Sequence, residues 1–335
     1  MGKIELDHTG AGSGVTLSSD GTDLLLNGTA IGGGGGTALE LYAENPSSPT
    51  APSATGTNAV AIGSGAVASG ENAIAMGLIS VSLGIRSLSG IYSYASGTDS
   101  FAAAIANNGI YGANGANSVA MGYRAKASFN KSTAVGGERA LASGGNSFAA
   151  GGEFQTASGA MAVALGGSVN TASGEASYAY GKQSLADKVG KYAYGAQLIA
   201  TSGVTQAGMM VLIASTTDAT PNVLRSNTNA AGTTNQVILP NNSAYAFSGT
   251  IVARQQASTG TACAAWKVEG LIRREGSAGI TVLVNSATTI LDNTPAWGMT
   301  LSADTTNGGL KIEVTGAAAT NIRWVATINT SEVTY

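Results

Sequence analysis

Histidine is almost absent from this chain, with one residue, His8, in 335. That scarcity excludes a Ser-His-Asp or Cys-His triad from everything beyond the first few residues, and with it a metal site built on histidines. Cysteine is equally rare. Cys263 stands alone, so there is no intrachain disulfide framework, and within Thr261-Ala262-Cys263-Ala264-Ala265-Trp266 it reads as a small buried hydrophobe. Only 10% of residues are charged, against about 25% in ordinary globular domains. The net charge of −3 comes without a basic cluster, so nucleic acid is not an expected partner. Long apolar runs are missing too. The longest, 207–214, has about eight residues where a membrane helix needs ~20, so membrane insertion is not expected. The opening residues are polar and lack the apolar core of a signal peptide.

Glycine, by contrast, is abundant, at 48 residues. The clusters at 10–14 and 32–36 invite a phosphate-loop reading, but no Lys-Ser/Thr follows them and no strand-loop-helix context surrounds them. They read as linker, and no cofactor is expected. Elsewhere glycine keeps time. Six times between about 115 and 195 the sequence writes an apolar-Ala-apolar-Gly phrase or a close variant, such as Val119-Ala120-Met121-Gly122 and Tyr178-Ala179-Tyr180-Gly181. The closing glycines fall at 122, 136, 151, 166, 181 and 195, in steps of 14 or 15. Two more copies, Val60-Ala61-Ile62-Gly63 and Ile74-Ala75-Met76-Gly77, lie upstream, 14 apart. A fixed short period is the signature of a solenoid.

Within each phrase the alternation puts bulky residues on one face and Ala and Gly on the other, which predicts a very short strand half-buried on its bulky face. Between strands lie small-residue returns such as 140–146, where Gly and Asn permit tight bends. The charged residues Arg124, Lys126, Lys131, Glu138, Arg139, Glu153, Glu175 and Lys182 are all assigned to returns. No coil can bury its own bulky face, so stacking and lateral association have to do it. Residues 78–114 keep the composition but lose the period, and Gly109 to Gly115 reads as a projecting insertion.

The strings Asn117-Ser118-Val119-Ala120-Met121-Gly122 and Gly56-Thr57-Asn58-Ala59-Val60-Ala61-Ile62-Gly63 resemble the head repeats of YadA-type trimeric autotransporter adhesins. The resemblance covers roughly residues 56–195 and implies a parallel β-roll in an obligate homotrimer. An adhesin of that family would also carry a signal peptide, a heptad stalk and a membrane barrel segment, none of which is seen here. The expectation is therefore a head repeat borrowed by a protein exported differently.

The chain divides into three expected parts. Residues 1–55 read as an attachment segment, with short strands at 14–21 and 23–28 around an Asp-Gly turn, the five-glycine joint, and a third strand at 38–43. It is similar to the pieces by which phage fibres join a virion. Residues 56–195 form the shaft. In residues 196–335, strands are expected at 235–242, 245–254, 265–274, 280–284, 299–301, 310–314 and 322–329, an antiparallel β-sandwich of jelly-roll type. The phrases at 214–221 and 239–249 resemble phage tail-fibre C-terminal domains.

Alternation sorts the aromatics of this last part. Ile322, Trp324, Ala326 and Ile328 share one face, as do Trp266 and Val268, and Tyr245, Phe247 and Ile251, and each set reads as core. Trp297 lies in the turn-like stretch Asp292-Asn293-Thr294-Pro295-Ala296-Trp297-Gly298. An exposed ring there would stack on a sugar, so Trp297 is the one candidate ligand contact, against the plainer reading of burial at a trimer seam. Glu269, Glu275, Asp292, Asp304 and Glu313 could supply a glycosidase pair. Glu269, Glu275 and Glu313 stand close to lysines or arginines, as on solvated strand faces, so no enzymatic activity is expected. The expected function is a homotrimeric bacteriophage fibre or spike, part of the virion, joined to other virion proteins through its N-terminal segment. Its tip would bind a host cell-surface glycan or protein. The alternatives are a bacterial trimeric adhesin passenger and a phage polysaccharide depolymerase.

Overall fold

The computed structural model describes residues 50–103, 109–197, 199–257, 262–293 and 295–335, together with the backbone of five strands before residue 50. His8 and the glycine clusters at 10–14 and 32–36 lie outside the described residues. The protein is all-β: a parallel solenoid of about ten coils, followed by an antiparallel region. Among the described residues no helix is long and apolar enough to cross a membrane.

Each coil carries two strands rather than one. The apolar-Ala-apolar phrases form one ladder, running Val60–Ile62, Ile74–Met76, Leu88–Ser89, Phe101–Ala103, Val119–Tyr123 and onward to Tyr192–Gly195, all parallel and in register. A second ladder of two-residue strands hides inside what reads as returns, from Ser53–Ala54 through Leu141–Ala142 to Leu185–Ala186. Its own phrase is written in the sequence as Val67-Ala68-Ser69-Gly70, Thr156-Ala157-Ser158-Gly159 and Thr171-Ala172-Ser173-Gly174. Lys126, Glu138 and Lys182 consequently sit on strands, not in returns.

The solenoid does not lapse at 78–114. Val81–Ser82, Leu88–Ser89, Tyr94–Ala95, Phe101–Ala103 and Gly112–Ala113 keep both ladders intact. The period is disguised there because serine replaces alanine inside: Ser80, Ser82, Ser87, Ser89 and Ser93 are fully or almost fully buried. Gly112-Ala113 belongs to the ladder instead of a projecting loop.

Two corners per coil are turned by residues in the left-handed region. One row comprises Asn58, Asn72, Arg86, Asp99, Asn117, Lys131, Asn146, Met161 and Ala176, with φ between 51° and 57°. The other includes Ile79, Tyr92, Arg124, Arg139, Phe154, Val169 and Gln183. Asparagine suits such a corner, whereas β-branched Ile79 and Val169 are strained in it. Stacking puts like positions over one another, so Asn58 Nδ2 donates to Asn72 Oδ1 at 3.3 Å and Arg86 forks onto Asp99 at 2.6 and 2.8 Å. The guanidinium's hydrogen bond holds the Asp99 carboxyl below its usual range.

The small residues face inward. Ala61, Ala75, Ala120, Ala134, Ala149, Ala164 and Ala179 are fully buried, as are their partners Ala68, Ala127, Ala142 and Ala172 across the roll. The bulky residues of the same strands point out: Ile74, Met76, Met121, Phe148 and Tyr194 are 37–47% exposed. A coil of this width has room only for methyl-sized groups.

Beyond the last coil, Tyr192–Gly195 pairs antiparallel with the long strand Thr205–Thr216, which the sequence reading missed. The shaft sheet thus runs on without a break through Ile322–Thr334, Ser243–Gln255, Cys263–Arg274 and Thr281–Asp292. Its inner face packs on a smaller antiparallel sheet made of Gly298–Asp304, Gly309–Thr315, Asn222–Val223 and Val237–Ile238. The core between the two holds Leu212, Leu224, Ile251, Trp266, Val268, Ile312, Trp324 and Ile328, and the inward faces read by alternation are the observed ones. Cys263 is exposed instead of buried, because Ala264 takes the inward position beside it. At the other end, Val15–Ser19 and Leu24–Leu26 pair as an antiparallel hairpin, and Leu39–Leu41 joins the shaft sheet beside Val60–Ile62.

Candidate functional site

Trp297 is only 4% exposed, so the exposure on which its candidacy rested is absent. The turn folds inward because the Asn293 side chain clamps it: Oδ1 accepts from Trp297 N at 2.9 Å and Nδ2 donates to Trp297 O at 2.8 Å. The ring meets Trp324 at 5.8 Å between centroids, and Trp324 in turn stacks on Trp266. All three tryptophans are therefore core.

The candidate carboxylates are dispersed. Glu275 is paired with Arg273 at 2.8 Å and Glu313 with Lys311 at 3.3 Å. Asp304 organises its own turn, accepting from Thr306 N, Asn307 N and Asn307 Nδ2. Burial alone would raise its pKa, but those hydrogen bonds outweigh it and hold the carboxyl below its usual range. Glu269 and Glu313 belong to different sheets. Among the described residues no cluster of three or more His, Cys, Asp or Glu could hold a metal ion.

Two arrangements stand out instead. The first is a buried polar network where the solenoid ends. Lys191 occupies a position that smaller residues hold in earlier coils, and its Nζ lies 2.8 Å from Glu332 Oε2. Gln206 Nε2 and Thr330 Oγ1 also donate to that carboxylate, at 2.7 Å each. The Gln206 amide further accepts from Leu185 N at 2.8 Å and donates to Leu185 O at 3.0 Å, mimicking the peptide of a next coil on the open edge of the two-residue ladder. Burial, and then the Glu332 charge, push the Tyr245 hydroxyl pKa well above its usual value. A Cβ at Gly208 would press on the Glu332 carboxylate and the Thr330 hydroxyl, so any larger residue there would have to displace these side chains.

The second is a groove of about 540 Å³ on the outer face of the long sheet. Ile213, Val252 and Val325 are 40–45% exposed along it, and Arg225, Arg254 and Arg323 border it. Alternation could have placed these residues outward, but not beside one another, because the strand carrying Ile213 was not recognised.

The family model of the YadA head domain repeat matches residues 54–78 and 113–138. No curated protein matches the sequence significantly. Among solved structures, the chain is similar to the tailspike protein gp49 of Acinetobacter baumannii bacteriophage Fri1, a capsular polysaccharide depolymerase. That likeness has 9% identity and a TM-score of 0.26, over 87% of this chain and 50% of that one. It is also similar to the tailspike protein of Acinetobacter phage vB_ApiP_P1, at 12% identity and a TM-score of 0.21, over 83% of this chain and 50% of that one. The chain thus spans half the length of either tailspike. The expectation that the chain is no enzyme is corrected by these neighbours, one of which is a depolymerase. The missing histidines exclude one chemistry only, since two carboxylates suffice for glycoside hydrolysis. At such TM-scores the likeness assigns no activity of its own. What the sequence establishes is two YadA head repeats, at residues 54–78 and 113–138, within the solenoid.

Proposed function

We propose that this chain is a homotrimeric virion fibre that recognises a host cell surface: residues 1–55 attach it, 56–195 form the shaft and 196–335 the tip. The observation that carries the reading is the pair of apolar rows along the outer face of the long sheet. Residues 60, 74, 88, 101, 119, 148, 163, 178 and 192 make one row, interrupted by Thr133, and 62, 76, 121, 135, 165, 180 and 194 the other, interrupted by Ala103 and Ala150. A largely apolar stripe of this length marks an interaction surface. Three copies around a cyclic axis would cover it in a closed interface. The YadA head-repeat match supports the same arrangement.

The test has two arms. Mass measurement of the full chain in solution should give three times 32.9 kDa, and a folded monomer at micromolar concentration would remove the trimer. The full-length protein should bind host cells and block adsorption of the particle that carries it. Cutting at residue 196 is a poor assay, because it strips Thr205–Thr216 of its neighbour Tyr192–Gly195. If binding is seen, assaying polysaccharide before and after contact separates recognition from cleavage.

A further inference from the structure

We infer that the groove on the outer face of the tip binds an acidic saccharide, through the carboxylate of a uronic-acid-type sugar. This rests on the host-surface reading for the kind of molecule encountered, and on the groove itself for the rest. Arg323 and Arg254 stand directly opposite each other on adjacent antiparallel strands, with Ser215 opposite Arg323 on its other side. Like charges in that relation repel, Arg254 Nη1 donates to Ala262 O at 3.4 Å, and among the described residues no acidic side chain lines the groove. A third guanidinium is fixed nearby. Arg225 bridges to Ile213 by backbone hydrogen bonds of 2.8 and 3.2 Å, and its Nη1 donates to Asn222 Oδ1 at 2.8 Å and Val223 O at 2.9 Å. Its Nε is buried without a partner.

A planar carboxylate suits such a set, because guanidinium presents paired N–H donors in a rigid fork. The floor of Ile213, Val252 and Val325 offers the aliphatic contact that a sugar ring's apolar face takes up. Asn227 on the rim, and Gln255 and Gln256 in the adjoining hollow, bring amides for hydroxyl groups. A nucleic acid fits less well. Bases stack on aromatic rings, and among the described residues the one ring at this groove, Trp324, is 2% exposed.

The experiment titrates the full-length protein with tetragalacturonate, its methyl ester, and a single-stranded oligothymidylate, followed by calorimetry and by tryptophan fluorescence. Saturable binding of the free acid is expected, weakening as salt rises, with the ester at least about tenfold weaker. Arg323→Gln and Arg254→Gln should each weaken binding about tenfold or more, with melting temperature and mass unchanged. Equal affinity for acid and ester, tighter binding of the oligothymidylate, or undiminished binding by both variants would each overturn the inference. So would a change of oligomeric mass in Arg323→Gln, which would mean that a second copy of the chain covers the groove. Cell adsorption by a variant that no longer binds uronate leaves the fibre reading standing without this site. Uronate binding without adsorption does the reverse.

Discussion

Shaft and tip solve the burial of apolar surface in opposite ways. In the shaft, alanine and serine are inside while isoleucine, methionine, phenylalanine and tyrosine line the outside. In the tip, Trp266, Trp324, Leu212 and Ile312 are inside, and the outer face of the sheet is mixed. A buried methyl-sized group contributes about 0.8 kcal/mol, whereas a full Leu, Ile or Phe side chain contributes about 1.5–3 kcal/mol. Each coil therefore gains little from its own interior and leaves its larger side chains for a neighbour to cover. The tip closes its own core. In the proposed trimer, association and stability would be coupled in the shaft and separable in the tip.

The sharpest way to break this contrast is to hollow the tip. Trp324→Ala removes a ring packed between two others, along with its Nε1 bond to Thr216 Oγ1, and should cost about 3–5 kcal/mol. Tryptophan fluorescence reports the tip alone, because all three tryptophans lie there, so melts followed by fluorescence and by far-UV dichroism should move apart. Coincident melts would show shaft and tip unfolding as one unit. Glu332→Ala attacks the seam between them and strands the Lys191 ammonium in a buried place, at about 3 kcal/mol.

Within the shaft the opposite change is damaging. Ala164→Leu overfills the coil and should cost about 1–3 kcal/mol per chain by thermal or denaturant melting, while Glu153→Leu, on an exposed position, is tolerated. Equal effects would mean that the inward register is wrong. A smaller gain is expected from Val169→Gly. Relief of a left-handed β-branched residue, worth about 1–2 kcal/mol, exceeds the entropy cost of glycine, so the melting temperature should rise slightly. The mildest test is alkaline. Interaction with Tyr180, and then burial, push the Tyr192 hydroxyl up to about 12. Its folded value lies above the unfolded value near 10, so its stabilisation is complete below pH 10 and is lost as pH climbs toward 12. Tyr192→Phe should flatten that loss, as read from melts across the range.

The same contrast explains what the sequence made legible. The shaft's main strand was readable because apolar-Ala-apolar-Gly is both a pattern and a clock. Its second strand is two residues long and spelled in Ala, Ser and Gly, the alphabet of turns, so it passed for a return. Residues 78–114 hid their period because serine is as small as alanine yet reads as polar, while coil length also varied. In the tip, strict alternation revealed inward faces correctly at Trp324 and Ile251. It failed at Trp297, where pairing of the Asn293 side chain with the backbone turns a loop inward. The arginine groove was invisible because strand neighbours, unlike strand faces, are set by topology.

One feature of the ladder bears on mechanics. Every strand of the shaft lies across its long axis, so the hydrogen bonds between coils run along it. A pull on the C-terminal region loads these bonds in series, and the chain yields at whichever interface is thinnest. The seam between Tyr192–Gly195 and Thr205–Thr216 has three paired positions. Gln206 grips the Leu185 peptide beside it, and the Lys191–Glu332 pair crosses the same boundary. These side chains act as rivets at the joint where tension passes from a stack of similar coils into a folded head.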